Sequence, residues 1–148
     1  MIALGSDHGG LALKETVKKL LAERGIAVDD CGTDNGDSVD YPDFGIKVAR
    51  KVSEGTTELG ILVCGTGIGM SIVANKFPRV RAALVTDTFM ARMAKEHNNA
   101  NILVLGGRVL NDDQAREIVT TWLDASFEGG RHQWRLDKIA ALETELHK

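Results

Sequence analysis

A cysteine followed directly by a glycine-rich loop is the feature of this sequence best suited to chemistry. The segment runs Cys64-Gly65-Thr66-Gly67-Ile68-Gly69 and follows an apolar run. We expect the thiol to meet the backbone N–H groups of the loop and the positive end of a following helix, which together stabilise a thiolate. The same amides can hold an oxyanion. Cys64 is therefore a candidate base, and an inert buried thiol beside a tight turn is an equally good interpretation.

Two other uses of a glycine loop are excluded by its spacing and position. A dinucleotide fingerprint has the pattern G-x-G-x-x-G after the first strand. Here the pattern is G-x-G-x-G, and it follows the third predicted strand. A cysteine phosphatase needs an arginine six residues after its cysteine, and that position is Met70. The loop therefore belongs to neither class.

Two histidines and three arginines complete the set of candidate groups. His8 lies in the loop after the first strand, and His97 closes a predicted helix. Imidazole exchanges protons near neutral pH and suits general acid–base work, although a lone histidine is more often structural. Arg108 follows the fifth strand, whereas Arg131 and Arg135 are four residues apart and share one face if Arg131 begins the last helix, which is predicted over Gln133–His147. Guanidinium groups fit phosphate oxygens, so together the arginines suit a monophosphate ester, although each alone is a common surface charge.

Short apolar runs alternate with helical patterns along the chain, which is typical of a parallel α/β sheet. The predicted strands are Ile2–Gly5, Ile26–Val28, Gly60–Cys64, Arg81–Thr86 and Asn101–Gly106. Apolar residues at helical spacing fill the segments between them. The predicted fold class is α/β: one three-layer, doubly wound, Rossmann-like domain of residues 1–148, with a five-stranded parallel sheet in the order 2-1-3-4-5 and a C-terminal helix.

This strand order predicts where the loops meet. In a doubly wound sheet of that order, the crevice lies between strands one and three, where the winding reverses. The loops that leave these strands are Asp7–Gly10 and Cys64–Gly69. Topology and chemistry therefore predict one site at the carboxyl edge of the sheet.

Composition limits the partners and the location of the protein. The chain has 148 residues, 43% of them hydrophobic and 26% charged, with a net charge of −3. That charge argues against nucleic acid or an anionic membrane as a partner. The sequence contains neither an apolar run of about 18 residues nor a signal-peptide pattern. The two cysteines lack metal-ligand spacing and fit a reducing compartment, so we expect a cytoplasmic protein.

Six motifs, in this order along the chain, resemble type B ribose-5-phosphate isomerase, a family that includes galactose- and allose-6-phosphate isomerases. They are Gly5-Ser6-Asp7-His8-Gly9-Gly10, Asp40-Tyr41-Pro42, Cys64-Gly65-Thr66-Gly67-Ile68-Gly69, Ala74-Asn75-Lys76, His97-Asn98 and Gly129-Gly130-Arg131-His132-Gln133. Each motif is short, but the combination covers nearly the whole chain. Some members of the family use a glutamate base elsewhere, whereas this sequence keeps the cysteine.

The resemblance implies interconversion of ribose 5-phosphate and ribulose 5-phosphate without a metal or organic cofactor. It implies that Cys64 moves a proton through a cis-enediolate, that Thr66 supports it, and that His97 helps to open the furanose ring. Substrate contacts are implied for Asp7, His8, Gly65, Gly67, Ile68, Gly69, Asn98, Arg108, Arg131 and Arg135. Family sites are shared across a dimer interface, so we expect a homodimer or a tetramer, with the terminal helix and Trp134 in the contact.

Two alternatives stay open on the sequence. An isomerase of a hexose 6-phosphate, or of another short sugar phosphate, would use the same scaffold, and turnover on five- and six-carbon substrates separates these. The loop Gly32–Asp40 is a candidate for that choice. A non-catalytic phosphosugar-binding protein would bind the ester without exchanging substrate protons with solvent, and the presence of Cys64 and His97 argues against it.

Overall fold

The sheet has five strands, all parallel, in a computed structural model that describes residues 1–147. The strands are β1 Ile2–Ser6, β2 Val28–Asp30, β3 Leu59–Cys64, β4 Ala82–Leu84 and β5 Ile102–Gly106. The helices are α1 Leu11–Glu23, α2 Tyr41–Glu54, α3 Ile68–Ala74, α4 Thr88–Glu96, α5 Asp112–Asp124 and α6 Arg131–Leu146. The predicted α/β class and its C-terminal helix are confirmed.

The strand order is β2-β1-β3-β5-β4, so the predicted order 2-1-3-4-5 is wrong at its last two positions. All five residues of β5 are buried, whereas the three residues of β4 are only half-buried. A strand with helices on both faces and strands on both sides needs a continuous apolar sequence, and β5 supplies it. The shorter β4 takes the edge. As a result β5 pairs with β3 in a register that sets Cys64 beside Gly106.

Helices cover both faces of the sheet and form two apolar cores. One core lies between the sheet and helices α1, α4 and α5, and its largest side chain is the fully buried Trp122. The other lies under α2 and α3 and includes Val48, Met70 and Cys64. The thiol of Cys64 therefore belongs to the α2–α3 face, and the loop that follows it runs directly into α3.

Side-chain caps and glycines set the helix boundaries. Asn111 and Gln114 form a reciprocal capping box at the start of α5, with distances of 2.8 and 2.9 Å. The Asp87 carboxylate accepts a hydrogen bond from the Met90 N–H at 2.7 Å and starts α4. α4 ends at Glu96, so His97 lies between α4 and β5.

The terminal helix α6 is only partly packed. Leu136 is buried, whereas Trp134, Ile139, Leu142 and Leu146 are more than half exposed. Leu136, Ile139, Leu142 and Leu146 border an open groove of about 470 Å³ between α6 and the start of β4, whereas Trp134 lies outside it. Among residues 1–147, none of the helices is both long and apolar enough to cross a membrane.

Candidate active site

The cysteine loop is built as the sequence predicts. Cys64 is the last residue of β3 and is 5% exposed. Its Sγ accepts a hydrogen bond from the Gly67 N–H at 3.2 Å. The hydroxyl of Thr66 accepts one from the Ile68 N–H at 3.3 Å. The loop thus turns the Gly67 amide towards the sulfur of Cys64.

Gly67 is required for this turn. Its φ is +85°, a left-handed conformation that side chains disfavour. A Cβ at this position would lie 2.5 Å from Leu84 Cδ1 and 3.2 Å from the Leu105 carbonyl carbon. Backbone strain and lack of space therefore both exclude a side chain at the residue that donates to Cys64.

The loop after β1 lies beside the cysteine loop. The buried Asp7 carboxylate accepts from the Gly10 N–H at 3.0 Å, which closes the turn. His8 Nδ1 accepts from the Val39 N–H at 3.1 Å. A neutral imidazole that accepts at Nδ1 carries its proton on Nε2, which leaves a donor for an anionic ligand. The same contact fastens the polar loop 33–40 to His8.

Arg108 joins the two loops. Its backbone N–H donates to the Gly65 carbonyl at 2.9 Å, and the Gly107 N–H donates to the Cys64 carbonyl at 2.7 Å. A Cβ at Gly9 would lie 3.5 Å from Arg108 Nη2, and one at Gly65 would lie 3.5 Å from Nη1. The guanidinium therefore lies over both loops, where it can bind an anion. We call Asp7, His8, residues 64–69 and Arg108 the carboxyl-edge cluster.

Tyr41 also contacts this cluster. The ring lies against Gly69 so closely that a Cβ there would clash with it. Tyr41 is the first residue of α2, and Pro42 follows it in the first turn. The start of α2 at Tyr41 therefore places the ring against Gly69, at the end of the cysteine loop.

The remaining candidates lie at the opposite edge of the sheet. His97 and Asn98 come just before β5, whereas Gly106, beside Cys64, ends it. Five strand residues at about 3.3 Å each separate the two edges by about 16 Å. Within one chain, the structure therefore does not bring His97 to Cys64. Arg131 and Arg135, in the first turns of α6, lie with His97.

Two further residues, Glu128 and His132, complete this second group, and the sequence interpretation missed both. The His97 and His132 rings stack with centroids 4.0 Å apart and 15° between their planes. The two carboxylate oxygens of Glu128 serve different rings: Oε1 lies 3.9 Å from Nε2 of His97, and Oε2 lies 3.9 Å from Nε2 of His132. The signal in the sequence is weak, because only the i, i+4 spacing of Glu128 and His132 hints at the contact. We call His97, Asn98, Glu128, Arg131, His132 and Arg135 the amino-edge cluster.

Positive charge surrounds His132. Burial lowers the pKa of His132, and His97, Arg131 and Arg135 lower it further, while the Glu128 carboxylate opposes them. One ring nitrogen of each histidine and a Glu128 oxygen lie within 4.8 Å of one another. The cluster thus gathers two imidazoles and a carboxylate, groups that can exchange protons or act as ligands of a metal ion.

Comparisons with known proteins decide the family. A family model described as ribose/galactose isomerase matches residues 2–139. The chain belongs to this family. The resemblance of its six motifs is thereby confirmed, and the protein is an isomerase.

Relatives of known name cover nearly the whole chain. Ribose-5-phosphate isomerase B of Escherichia coli (strain K12) is 44% identical over 142 residues, which span 96% of this chain and 95% of that protein. D-erythrulose-4-phosphate isomerase of Pectobacterium atrosepticum is 43% identical over 143 residues, spanning 96% and 94%. The family member described here thus resembles proteins named for five-carbon and four-carbon substrates.

Solved structures of similar proteins have the same fold. Ribose-5-phosphate isomerase B of Clostridium thermocellum superposes with a TM-score of 0.96, at 54% identity and 98% coverage of both chains. The Mycoplasma genitalium ribose-5-phosphate isomerase B with bound ribulose-5-phosphate gives a TM-score of 0.94, at 45% identity and coverage of 97% and 96%. The α/β architecture of this isomerase is therefore that of its relatives.

Proposed function

We propose that this isomerase interconverts ribose 5-phosphate and ribulose 5-phosphate, with Cys64 as the base. The observation that carries the proposal is the carboxyl-edge cluster. It places a thiol with an amide donor at 3.2 Å beside His8 and Arg108, to which we assign the phosphate of the substrate. The family membership and the relatives named for phosphosugars support the same substrate class.

The chemistry follows from the donors and the thiol. The thiolate of Cys64 removes the proton on C2 of the open-chain aldose, and the electron pair moves to the C1 carbonyl oxygen. The resulting cis-enediolate is held by the amides of residues 65–69, which cost no reorganisation when the charge develops. The Cys64 thiol then returns the proton to C1, while the proton of the C2 hydroxyl passes to the C1 oxygen and C2 becomes the carbonyl. Thr66 steadies the loop, and no metal or organic cofactor takes part.

We propose further that each active site combines two copies of the chain. The two edges of the sheet are about 16 Å apart along β5, so His97 and Asn98, before that strand, cannot touch the same small sugar as Cys64 of their own chain. Arg131 and Arg135 belong to the helix that carries His132, whose ring stacks on His97. A partner that presents its amino-edge cluster to the carboxyl-edge cluster would bring them together. His97 would then protonate the furanose ring oxygen, Asn98 would bind a sugar hydroxyl, and the arginines would bind phosphate. The exposed apolar side chains of α6 are the candidate contact, in a homodimer or a tetramer.

Members of the family differ in the length of the sugar phosphate for which they are named. A second candidate function is therefore isomerisation of four- or six-carbon sugar phosphates. The identity to D-erythrulose-4-phosphate isomerase favours testing the shorter substrate. In the proposed site, His8 anchors the phosphate and Val39 fastens the loop 33–40 to His8. The distance from this anchor to Cys64 would then select the carbon chain.

The decisive experiment is ketose formation from ribose 5-phosphate by the purified protein in the presence of a metal chelator. The same assay runs with Cys64→Ala and with tetrose 4-phosphate and hexose 6-phosphate substrates. Brisk, chelator-resistant turnover that requires Cys64 and prefers ribose 5-phosphate is the expected result. Preference for another length would keep the mechanism and change the specificity. Binding without turnover would point to a non-catalytic phosphosugar-binding protein and overturn the proposal.

A further inference from the structure

We propose that His132 is a positioning residue for His97, holding the His97 ring in the orientation from which it protonates the furanose oxygen. This inference rests on the proposed ribose 5-phosphate isomerisation and adds a residue to it. The observation behind it is the stack of the two rings, 4.0 Å apart and 15° from parallel, above a shared carboxylate.

His97 needs such support because its own surroundings hold it weakly. It lies just after the last turn of α4, and its side chain is 37% exposed. The nearest carboxylate oxygen, Oε1 of Glu128, is 3.9 Å from Nε2, too far for a hydrogen bond. The orientation of the His97 ring therefore depends on the contact between its face and the His132 ring.

His132, by contrast, is buried, and its helix is anchored near both ends. It is 8% exposed and is the second residue of α6, where its N–H donates to the Gly129 carbonyl at 3.1 Å. Leu136, one turn later, is also buried. Glu143 near the other end of the helix accepts from the Arg79 N–H at 3.0 Å. The ring thus forms a fixed platform on which the more exposed His97 stacks.

The surroundings of His132 disfavour a charge on its ring. The groups that act on it are His97 just after α4, Glu128 before α6, and Arg131 and Arg135 on α6. Burial, His97 and the two arginines lower the pKa of His132, and the Glu128 carboxylate opposes them. His132 is therefore poorly suited to donate a proton, and in the proposed mechanism the proton for ring opening comes from His97.

This proton has a defined use in ring opening. The Nε2–H of His97 gives its proton to the furanose ring oxygen while the bond from that oxygen to C1 breaks. The C1 hydroxyl loses its proton to water and becomes the aldehyde. A second proton from solvent restores His97. Ribulose 5-phosphate needs no such step, since its C5 hydroxyl is esterified and cannot close a five-membered ring onto C2.

Ring opening and proton transfer can be measured separately, which provides the test. His132→Ala should lower kcat/KM for ribose 5-phosphate about tenfold or more, the range of a misplaced general acid. It should change the rate at which solvent deuterium exchanges into C1 of ribulose 5-phosphate less than about threefold, because that exchange passes through the enediolate without a ring step, and His97→Ala should show the same split. His132→Phe keeps a flat ring for stacking and should recover most of the loss.

Each result has a clear meaning. Thermal unfolding of every variant first checks that it folds. Equal losses of turnover and of deuterium exchange, without recovery by Phe, would show that His132 serves only the stability of α6 and would overturn the proposal. Failure of the wild-type protein to convert ribose 5-phosphate would instead refute the proposed function, so the two failures are distinguishable.

Discussion

The backbone N–H of Gly67 points at the sulfur of Cys64, with 3.2 Å between the two atoms. A donor at this distance stabilises a negative charge on sulfur, as catalytic thiolates require. It depends on the φ of +85° at Gly67 and on the close approach of Leu84 and Leu105. The thiol and its amide donor are therefore positioned by the loop itself.

Removal of the Cys64 thiol should separate catalysis from binding. Cys64→Ala is expected to lower kcat about 10³-fold, because the general base is lost while the loop amides and Arg108 remain. The dissociation constant for ribose 5-phosphate, measured by calorimetry, should change less than about threefold. Cys64→Ser is the matched control for size, with an equally low kcat because a hydroxyl is a poor base. Equal losses of binding and turnover would contradict this division of roles.

A side chain at Gly69 should displace Tyr41. The Cβ of Gly69→Ala would overlap the Tyr41 ring, so we expect a loss of about 1–3 kcal/mol in the free energy of unfolding. Turnover should fall as well, since the amides at the end of the cysteine loop move. In the Tyr41→Ala background, where the ring is absent, Gly69→Ala should cost less stability and less turnover than it does in the wild type. Additive effects in urea unfolding and in kcat would show that the contact does not matter.

Loss of a phosphate-binding arginine should appear mainly in KM. Arg108→Ala and Arg135→Ala each remove a charge-assisted contact of about 1.5–3 kcal/mol, which corresponds to at least a tenfold rise in KM. Arg116→Ala is the control, because Arg116 pairs with Glu23 on the α5 surface, away from both clusters. If KM is unchanged in Arg135→Ala but raised in Arg108→Ala, the amino-edge cluster does not bind the phosphate.

A mixture of two inactive variants should regain activity if the site is shared. In a heterodimer of Cys64→Ala and His97→Ala chains, one site combines both substitutions and the other combines an intact Cys64 with an intact His97. Random pairing makes half of the dimers mixed, so about a quarter of the wild-type activity on ribose 5-phosphate should return. Co-expression with two affinity tags isolates the heterodimer. No recovery in that purified species would place both residues in one chain's site.

Acid should weaken the fold through Asp30. Burial raises the pKa of its carboxyl, but hydrogen bonds from Lys14, Lys18 and the Gly32 amide prevail and hold it at about 2. A carboxyl with a lowered pKa contributes stability above its unfolded pKa, so this contribution is lost as the pH falls from about 4 to about 2. Urea unfolding at several pH values should show the loss in the wild type and not in Asp30→Asn.

The same substitution has an effect at neutral pH. The side chain of Lys14 is fully buried, so Asp30→Asn leaves a buried charge poorly paired and should cost about 3 kcal/mol in the free energy of unfolding at pH 7. Asp124→Asn is the matched control, since its partner Arg24 lies at the surface, and its cost should stay within about 1 kcal/mol. Equal effects of the two changes would mean that Lys14 finds another partner.

The sequence by itself determined the local elements and the chemistry of the first cluster. Apolar spacing predicts the strands and helices because it depends on residues a few positions apart. The segment Cys64–Gly69 is continuous in the chain, so its thiol, glycines and amides must meet wherever the loop lies. The position of Asp7 and His8 beside it followed from the pairing of the first and third strands, which the structure confirms.

Tertiary structure alone decided the strand order and the separation of the two clusters. β4 and β5 are both short apolar runs, and which of them lies inside depends on competition for burial across the whole sheet. That choice put Arg108 beside Cys64, one strand away rather than two. The stack of His97 on His132 arises from the packing of α6 against the end of α4. Contacts between distant segments have no local signature, so the sequence could name these residues but not place them.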